Sequence, residues 1–312
     1  MPSHSSLVVV IGTGGTIAGT AARPQDHTGY TAGALSAQAL IGAVPALAGQ
    51  ALESESLAQL DSCDMDHATW VLLALSVQRH LARDDVAGVV ITHGTDTLEE
   101  TALFLHLTVQ ADKPVVFTAA MRPATALSPD GPQNLVDALS VARHAGARGV
   151  LAVVGGVVHA AADLRKVHGY RLHAFSSGDA GPVALVQDGQ LRWLRAWPAS
   201  EPAFVAALRV DEARWPVVDI VTSHAGARAT TLDALVAAGA RGIVIAGTGN
   251  GSVHAQLLQA ARRAQVQGVR VVRASRCITG GVVGAPADAL PSAGDLTPAQ
   301  ARVALMLDLL RL

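Results

Sequence analysis

Two short segments set hydroxyl groups where a nucleophile would have to stand: Ile11-Gly12-Thr13-Gly14-Gly15-Thr16-Ile17-Ala18-Gly19 and Thr92-His93-Gly94-Thr95-Asp96-Thr97. Each follows an apolar run, Leu7–Ile11 or Val86–Ile91, that reads as a buried strand. Each therefore places threonines at a strand's carboxyl end, where open α/β sheets keep their ligands. The glycines let a ligand or a second loop approach the backbone closely. A threonine hydroxyl is a poor nucleophile at neutral pH and needs a base or a proton relay. Lys166 and Tyr30 are the candidates, with Asp96 able to orient the lysine and offset its charge. A lysine between a carboxylate and a hydroxyl follows the nucleophile, base and orienter logic of hydrolytic triads. Attack on a carboxamide is chemistry that such a set could perform.

The lysine carries weight because lysine is scarce. Of 23 basic residues only Lys113 and Lys166 are lysines. An ammonium can give up its proton where a guanidinium cannot. Lys113 precedes Pro114 and reads as a surface turn residue, which leaves Lys166 for chemistry.

The elements that must position these groups alternate as βαβ units do, which predicts an α/β fold with a doubly wound, mostly parallel sheet. Strands are expected at Leu7–Ile11, Val86–Ile91, Val115–Ala119 and Val150–Val154, with helices at Thr69–Leu81, Leu98–Val109 and Gln133–His144. Thr97-Leu98-Glu99-Glu100 fits a capping box at the head of the second of these helices. The Asp188-Gly189 turn, three tryptophans (Trp193, Trp197, Trp215) and nearby prolines mark a hairpin and a linker. This predicts a larger catalytic domain over 1–190, a linker over 191–215, with the tryptophans as interdomain packing, and a smaller α/β domain over 216–312. There the alternation restarts with strands Val217–Val221, Gly242–Ala246 and Val269–Ala274, and helices Thr231–Ala238 and Val253–Gln265. A closing helix is capped by Thr297-Pro298-Ala299-Gln300.

At 312 residues, with 50% hydrophobic and 15% charged residues and a net charge of −2, the chain suits neither disorder nor nucleic-acid binding by general basicity. A small-molecule partner is the expectation. Cys63 and Cys277 form no metal-ligand spacing and no disulfide framework, and Cys277 reads as a small buried residue. No apolar stretch reaches membrane-spanning length. Met1-Pro2-Ser3-His4-Ser5-Ser6 runs into the first strand without a signal-peptide pattern, so a cytoplasmic location is expected, although a mature periplasmic form would read the same.

The segments Thr13–Ala18 and His93–Ala102 resemble the two signatures of bacterial-type L-asparaginases, the asparaginase/glutaminase family. Met121-Arg122-Pro123, Asp130-Gly131-Pro132 with Asn134-Leu135, Lys166, Gly249-Asn250-Gly251 and Val271–Arg276 extend the likeness along nearly the whole chain. The resemblance implies hydrolysis of L-asparagine, and of L-glutamine to some degree, with no metal or organic cofactor. It makes Thr16 the primary nucleophile beside Tyr30 in an N-terminal loop, and Thr95, Asp96 and Lys166 a second catalytic set. It puts substrate contacts at Gly15, Ser62, Cys63, Thr95, Asp96, Asn250, Ser252 and Asp288. It also implies a homotetramer of intimate dimers, with sites at the dimer interface.

Two positions depart from the family pattern. Cys63 stands where Ser-Gln-Asp or Ser-Glu-Asn segments carry a polar side chain, and Asp288 is the one acid in a segment where a neighbouring subunit's glutamate is usual. Weakened substrate binding and low glutaminase activity follow as expectations. The alternative is a non-catalytic amino-acid sensor on the same scaffold. A dinucleotide fold fails because Ile17 breaks the G-x-G-x-x-G spacing. His93 reads as structural, and His159, His168 and His173 as loop histidines.

Overall fold

The computed structural model describes residues 7–199, 202–284 and 289–311. The chain forms two compact units, Met1–Leu208 and Arg209–Leu312. The first contains strands β1 (Leu7–Gly14), β2 (Thr20–Ala21), β3 (Tyr30–Thr31), β4 (Leu52–Leu60), β5 (Val86–Thr92), β6 (Val115–Thr118), β7 (Val150–Val154), β8 (Val157–Ala160), β9 (Arg165–Lys166), β10 (Phe175–Ser176), β11 (Ala184–Gln187) and β12 (Gln190–Trp193). Its helices are α1 (Ala37–Gly42), α2 (His67–Leu81), α3 (Leu98–Thr108) and α4 (Gly131–Ala142).

Eight of these strands form one sheet in the order β12-β11-β8-β7-β6-β5-β1-β4. From β4 to β7 every pairing is parallel, and β8, β11 and β12 continue it as an antiparallel meander. The strand order reverses at β1, which has β4 on one side and β5 on the other. Ligands of open α/β sheets bind at such a reversal, outside the carboxyl ends of the strands. Here those ends are the two threonine loops.

The central strands read as continuous apolar runs because both their faces are covered. Val8–Ile11, Val89–Ile91 and Val115–Phe117 are fully buried. On one face Leu135, Ala138 and Leu139 of α4 pack on Val8, Val10, Val90 and Val116. Elsewhere Trp70 of α2 stacks on Phe104 of α3 at 5.1 Å and donates its indole N–H to Thr101 Oγ1 at 2.9 Å.

Several expectations are corrected. The capping box at Thr97 does not form: the helix starts at Leu98 without a side-chain cap, and the Thr97 hydroxyl instead donates to the Ser62 carbonyl at 2.7 Å. A long strand, β4, occupies the sheet edge where none was expected. Its Leu-Glu-Ser-Glu-Ser sequence carries Glu53, paired with Arg83, and Glu55, which accepts from Ser76, Arg79 and His80, and charged side chains of this kind guard an edge. Trp193 and Trp197 pack edge to face at 4.2 Å beside His144, inside the first unit. Trp215 donates to the Val210 carbonyl inside the second. Cys277 is exposed.

The Asp188-Gly189 hairpin forms, with both residues at positive φ, as its tight turn requires. The second unit has a parallel sheet of β13 (Val218–Thr222), β14 (Gly242–Gly247) and β15 (Arg270–Ser275), with helices α5 (Thr230–Ala237), α6 (Ala255–Val266) and α7 (Pro298–Leu309). The capping box of α7 is complete.

Candidate active site

The loop after β1 turns through Gly14 and Gly15, both at positive φ. A Cβ on Gly14 would lie 2.3 Å from the Leu60 carbonyl oxygen, and one on Gly15 would lie 2.3 Å from Gly94 N. No side chain fits at either position. The two threonine loops thus touch backbone to backbone just before Thr16 and Thr95, and Thr13 Oγ1 donates to the Thr92 carbonyl at 3.1 Å to lock the strand ends. Both Thr16 and Thr95 are 6% exposed.

Tyr30 reaches Thr16 by a short hairpin in which β2 pairs antiparallel with β3. Its hydroxyl lies 2.6 Å from Thr16 Oγ1. Burial pushes the Tyr30 phenol up from its ordinary range, and the nearby Asp61, Asp96 and Cys63 add to the effect. The phenol therefore stays protonated at neutral pH, as a relay must. The hairpin rests on the loop after β6: Thr125 Oγ1 accepts from Ala21 N at 2.8 Å and donates to Ala21 O at 3.3 Å, Ala124 N donates to Gly19 O, and Leu127 N to Pro24 O. That loop is fixed in turn by Asp130, whose carboxylate accepts from Met121 N and Arg122 N at 3.0 Å each. Asn134 ties it down further, with its amide on the carbonyl of Ala119 and the N–H of Gly155.

Lys166 arrives on β9. Glu99, on the first turn of α3, accepts from Lys166 N at 2.8 Å, which aims the side chain. Its ammonium donates to Thr95 Oγ1 at 2.9 Å and pairs closely with Asp96. The Asp96 side chain is 56% exposed and that of Lys166 18%, so the carboxylate keeps an open side toward solvent. Ser62 is buried and its hydroxyl accepts from Asp96 N at 3.2 Å. Cys63 beside it is an exposed thiol, pushed up by desolvation and by Asp61, Asp64 and Asp96, and so it stays neutral.

A half-buried Thr–Tyr pair and a Thr–Lys–Asp set thus meet at one reversal of strand order. A family model described as Asparaginase, N-terminal matches residues 7–199, and a second, Glutaminase/Asparaginase C-terminal domain, matches 217–311. The chain belongs to the asparaginase family. It is 38% identical to a protein of Haemophilus influenzae named probable periplasmic L-asparaginase, over 97% of this chain and 88% of that one. It is 36% identical to a glutaminase-asparaginase of Pseudomonas fluorescens, over 97% and 86%. The crystal structure of a protein named probable cytoplasmic L-asparaginase, from Campylobacter jejuni, superposes with a TM-score of 0.92 at 37% identity, covering 98% of this chain and 95% of that one. No helix among the described residues is long and apolar enough to cross a membrane.

Within this asparaginase-family chain the first unit gathers Gly15, Thr16, Tyr30, Ser62, Cys63, Thr95, Asp96 and Lys166. Asn250 and Ser252 belong to the second unit. There Asn250 clamps Val283 through two hydrogen bonds of 2.7 Å, and Ser252 closes a turn with Thr248. Asp288 lies outside the described residues. His93 is fully buried and bonded to the Gly94 carbonyl, and burial lowers its pKa to about 4. His159 is likewise buried against Ser177, also at about 4. Among the described residues no cluster of three or more His, Cys, Asp or Glu side chains is arranged to hold a metal ion. Glu99, Thr125 and Asp130 position the site, yet sequence reasoning gave none of them that task. Glu99 lay inside the His93–Ala102 signature and Asp130 in the Asp130-Gly131-Pro132 match, whereas Thr125 left no signal.

Proposed function

We propose that the protein hydrolyses the side-chain amide of L-asparagine to L-aspartate and ammonia, with a threonine nucleophile and low activity toward L-glutamine. The observation that carries this reading is the meeting of two activated hydroxyls, Thr16 on Tyr30 and Thr95 on Lys166. Thr16 Oγ attacks the amide carbon while its proton passes to the Tyr30 hydroxyl, whose own proton moves on toward the departing nitrogen. The ammonium of Lys166, donating to Thr95 Oγ1, leaves the Thr95 proton free to point at the substrate. An acyl-threonine then forms as ammonia leaves, and a water directed by Thr95 and Lys166 releases aspartate. Asp96 holds Lys166 and offers its open oxygen to the substrate's ammonium. The active assembly is a homotetramer of intimate dimers.

The test is ammonia release from asparagine and from glutamine by the purified protein. Thr16→Ala and Thr95→Ala should each lower turnover by about a hundredfold or more while circular dichroism stays unchanged. Asparagine binding without ammonia release by the wild-type chain would instead establish a sensor. An alanine variant that kept a large share of wild-type turnover would remove that threonine from the mechanism.

A further inference from the structure

Thr16 and Thr95 follow β1 and β5 directly, so the central sheet itself fixes where they stand. Lys166 has no such support. It sits on β9, a strand of two residues that pairs with β10 in a ribbon outside the eight-stranded sheet. Two strands alone are marginally stable, so the ribbon keeps its place through what ties it down at either end. On the far side Val167 N donates to Ala174 O at 2.7 Å. On the near side lies a turn in which Asp163 N and Leu164 N both donate to Ala160 O at 3.0 Å.

One side chain ties that turn to the main sheet. Arg195, just past β12, gives Nη2 to the Asp163 carboxylate in a close ion pair and Nε to the Gly181 carbonyl at 3.1 Å. Its backbone N shares the Val183 carbonyl with Leu194 N, and Val183 N donates to the Val158 carbonyl of β8 at 2.7 Å. The guanidinium thus joins the entry to β9, three residues before Lys166, to the antiparallel end of the sheet. The side chains of Arg195 and Asp163 are 32% and 26% exposed, and an ion pair that open adds little to stability. What its directed bonds can do is fix a position. His106 near Asp163 and His159 near Arg195 are both held below their ordinary range by burial, so neither imidazole supplies the charge that Arg195 brings.

We propose that Asp163 and Arg195 are positioning residues for Lys166, their ion pair holding the entry to β9 so that the ammonium meets Thr95 and Asp96 together. The effect on turnover rests on the role given to Lys166 above; the hold on the lysine does not. The chain's two lysines make that hold measurable without any reaction of substrate. A brief pulse of acetic anhydride on the full chain, read by mass spectrometry, gives the labelling of the Lys166 amine relative to Lys113, which serves as the internal reference. Arg195→Met and Asp163→Asn should each raise that ratio severalfold. Each should also lower kcat for asparagine about tenfold, as a small misplacement of a reacting group does, with a lesser change in KM. The double variant should match the single ones, because both remove the same bond. Arg195→Lys, which keeps a charge for Asp163, should recover part of both effects. Asp163→Asn, of nearly unchanged size, carries the test should Arg195→Met not fold. A labelling ratio that stays at the wild-type value in the single variants overturns the proposal even if their melting temperature falls, and so do losses that multiply in the double variant. Raised labelling with unchanged turnover would keep the hold on the lysine and end the role given to Lys166. A wild-type chain that never releases ammonia would end the amidase reading, while the labelling would still decide this one.

Discussion

At the scale of single residues, the proposed chemistry makes the amine of Lys166 irreplaceable by charge. A guanidinium at that position could still pair with Asp96, but its larger planar fork does not fit a site built for a compact ammonium that donates to Thr95 and Asp96 together. Lys166→Arg should therefore lose nearly as much turnover as Lys166→Ala, about a hundredfold or more; an arginine variant of near-normal kcat would reduce Lys166 to an electrostatic role. Cys63 makes a different claim. Its exposed, neutral thiol beside Ser62 and Asp96 is a weak donor and a weaker acceptor. A longer substrate depends more on being held at its amino-acid end to align its amide. Cys63→Gln should lower the KM for asparagine severalfold and raise glutamine turnover relative to it. Steady-state kinetics with both substrates decide this, and an unchanged or worsened pair of values would place Cys63 outside substrate recognition.

At the scale of elements, catalytic geometry is set by loops that lean on one another. Thr125 holds both polar groups of Ala21 in the Tyr30 hairpin and touches neither Thr16 nor Tyr30 by hydrogen bond. Thr125→Val, which keeps the side chain's shape and removes the hydroxyl, should free the hairpin, raise the exchange rate of residues 20–31 and lower kcat about tenfold, while Thr125→Ser should restore both. Two variants indistinguishable in exchange would remove Thr125 as a positioning residue. This layer was the least legible in the sequence. The buried central strands and the longer helices announced themselves by apolar runs and periodicity, and the threonine loops by glycines whose crowding the structure explains: Gly15 against Gly94, Gly14 against Leu60. β4 was hidden because an edge strand is polar by necessity, and its glutamates resemble a loop's. Thr97 looked like a helix cap because Thr-x-x-Glu is a local pattern, whereas the hydroxyl's partner, the Ser62 carbonyl, is brought in by the fold. Thr125 bonds a segment distant in sequence, so no spacing reveals it, and Asp130 showed only as part of the Asp130-Gly131-Pro132 match, without its task.

At the scale of the whole molecule, the second unit holds an ordered segment that has exposed apolar side chains and a costly support. Arg273 is 9% exposed and gives its guanidinium to the carbonyls of Asn250, Gly251, Gly284 and Leu290. Asn250 adds its two bonds to Val283. A buried guanidinium satisfied by carbonyls rather than by a carboxylate is expensive to maintain, and here it fixes residues 280–284, where Val283 is 73% exposed, while Ile278 just ahead of them is 57% exposed. In the homo-oligomer proposed above, a second copy would cover these side chains. The assembly proposed above then makes a joint prediction about size and activity. Light scattering should show a dimer or larger for the wild type. Val283→Asp should shift the protein toward smaller species, because a charge at that contact is desolvated without a partner, and specific activity should fall in step with the loss of the larger species as protein concentration is lowered. If Val283→Asp were monomeric at all concentrations and fully active, the site would be complete within one chain and the shared-site assembly would be wrong.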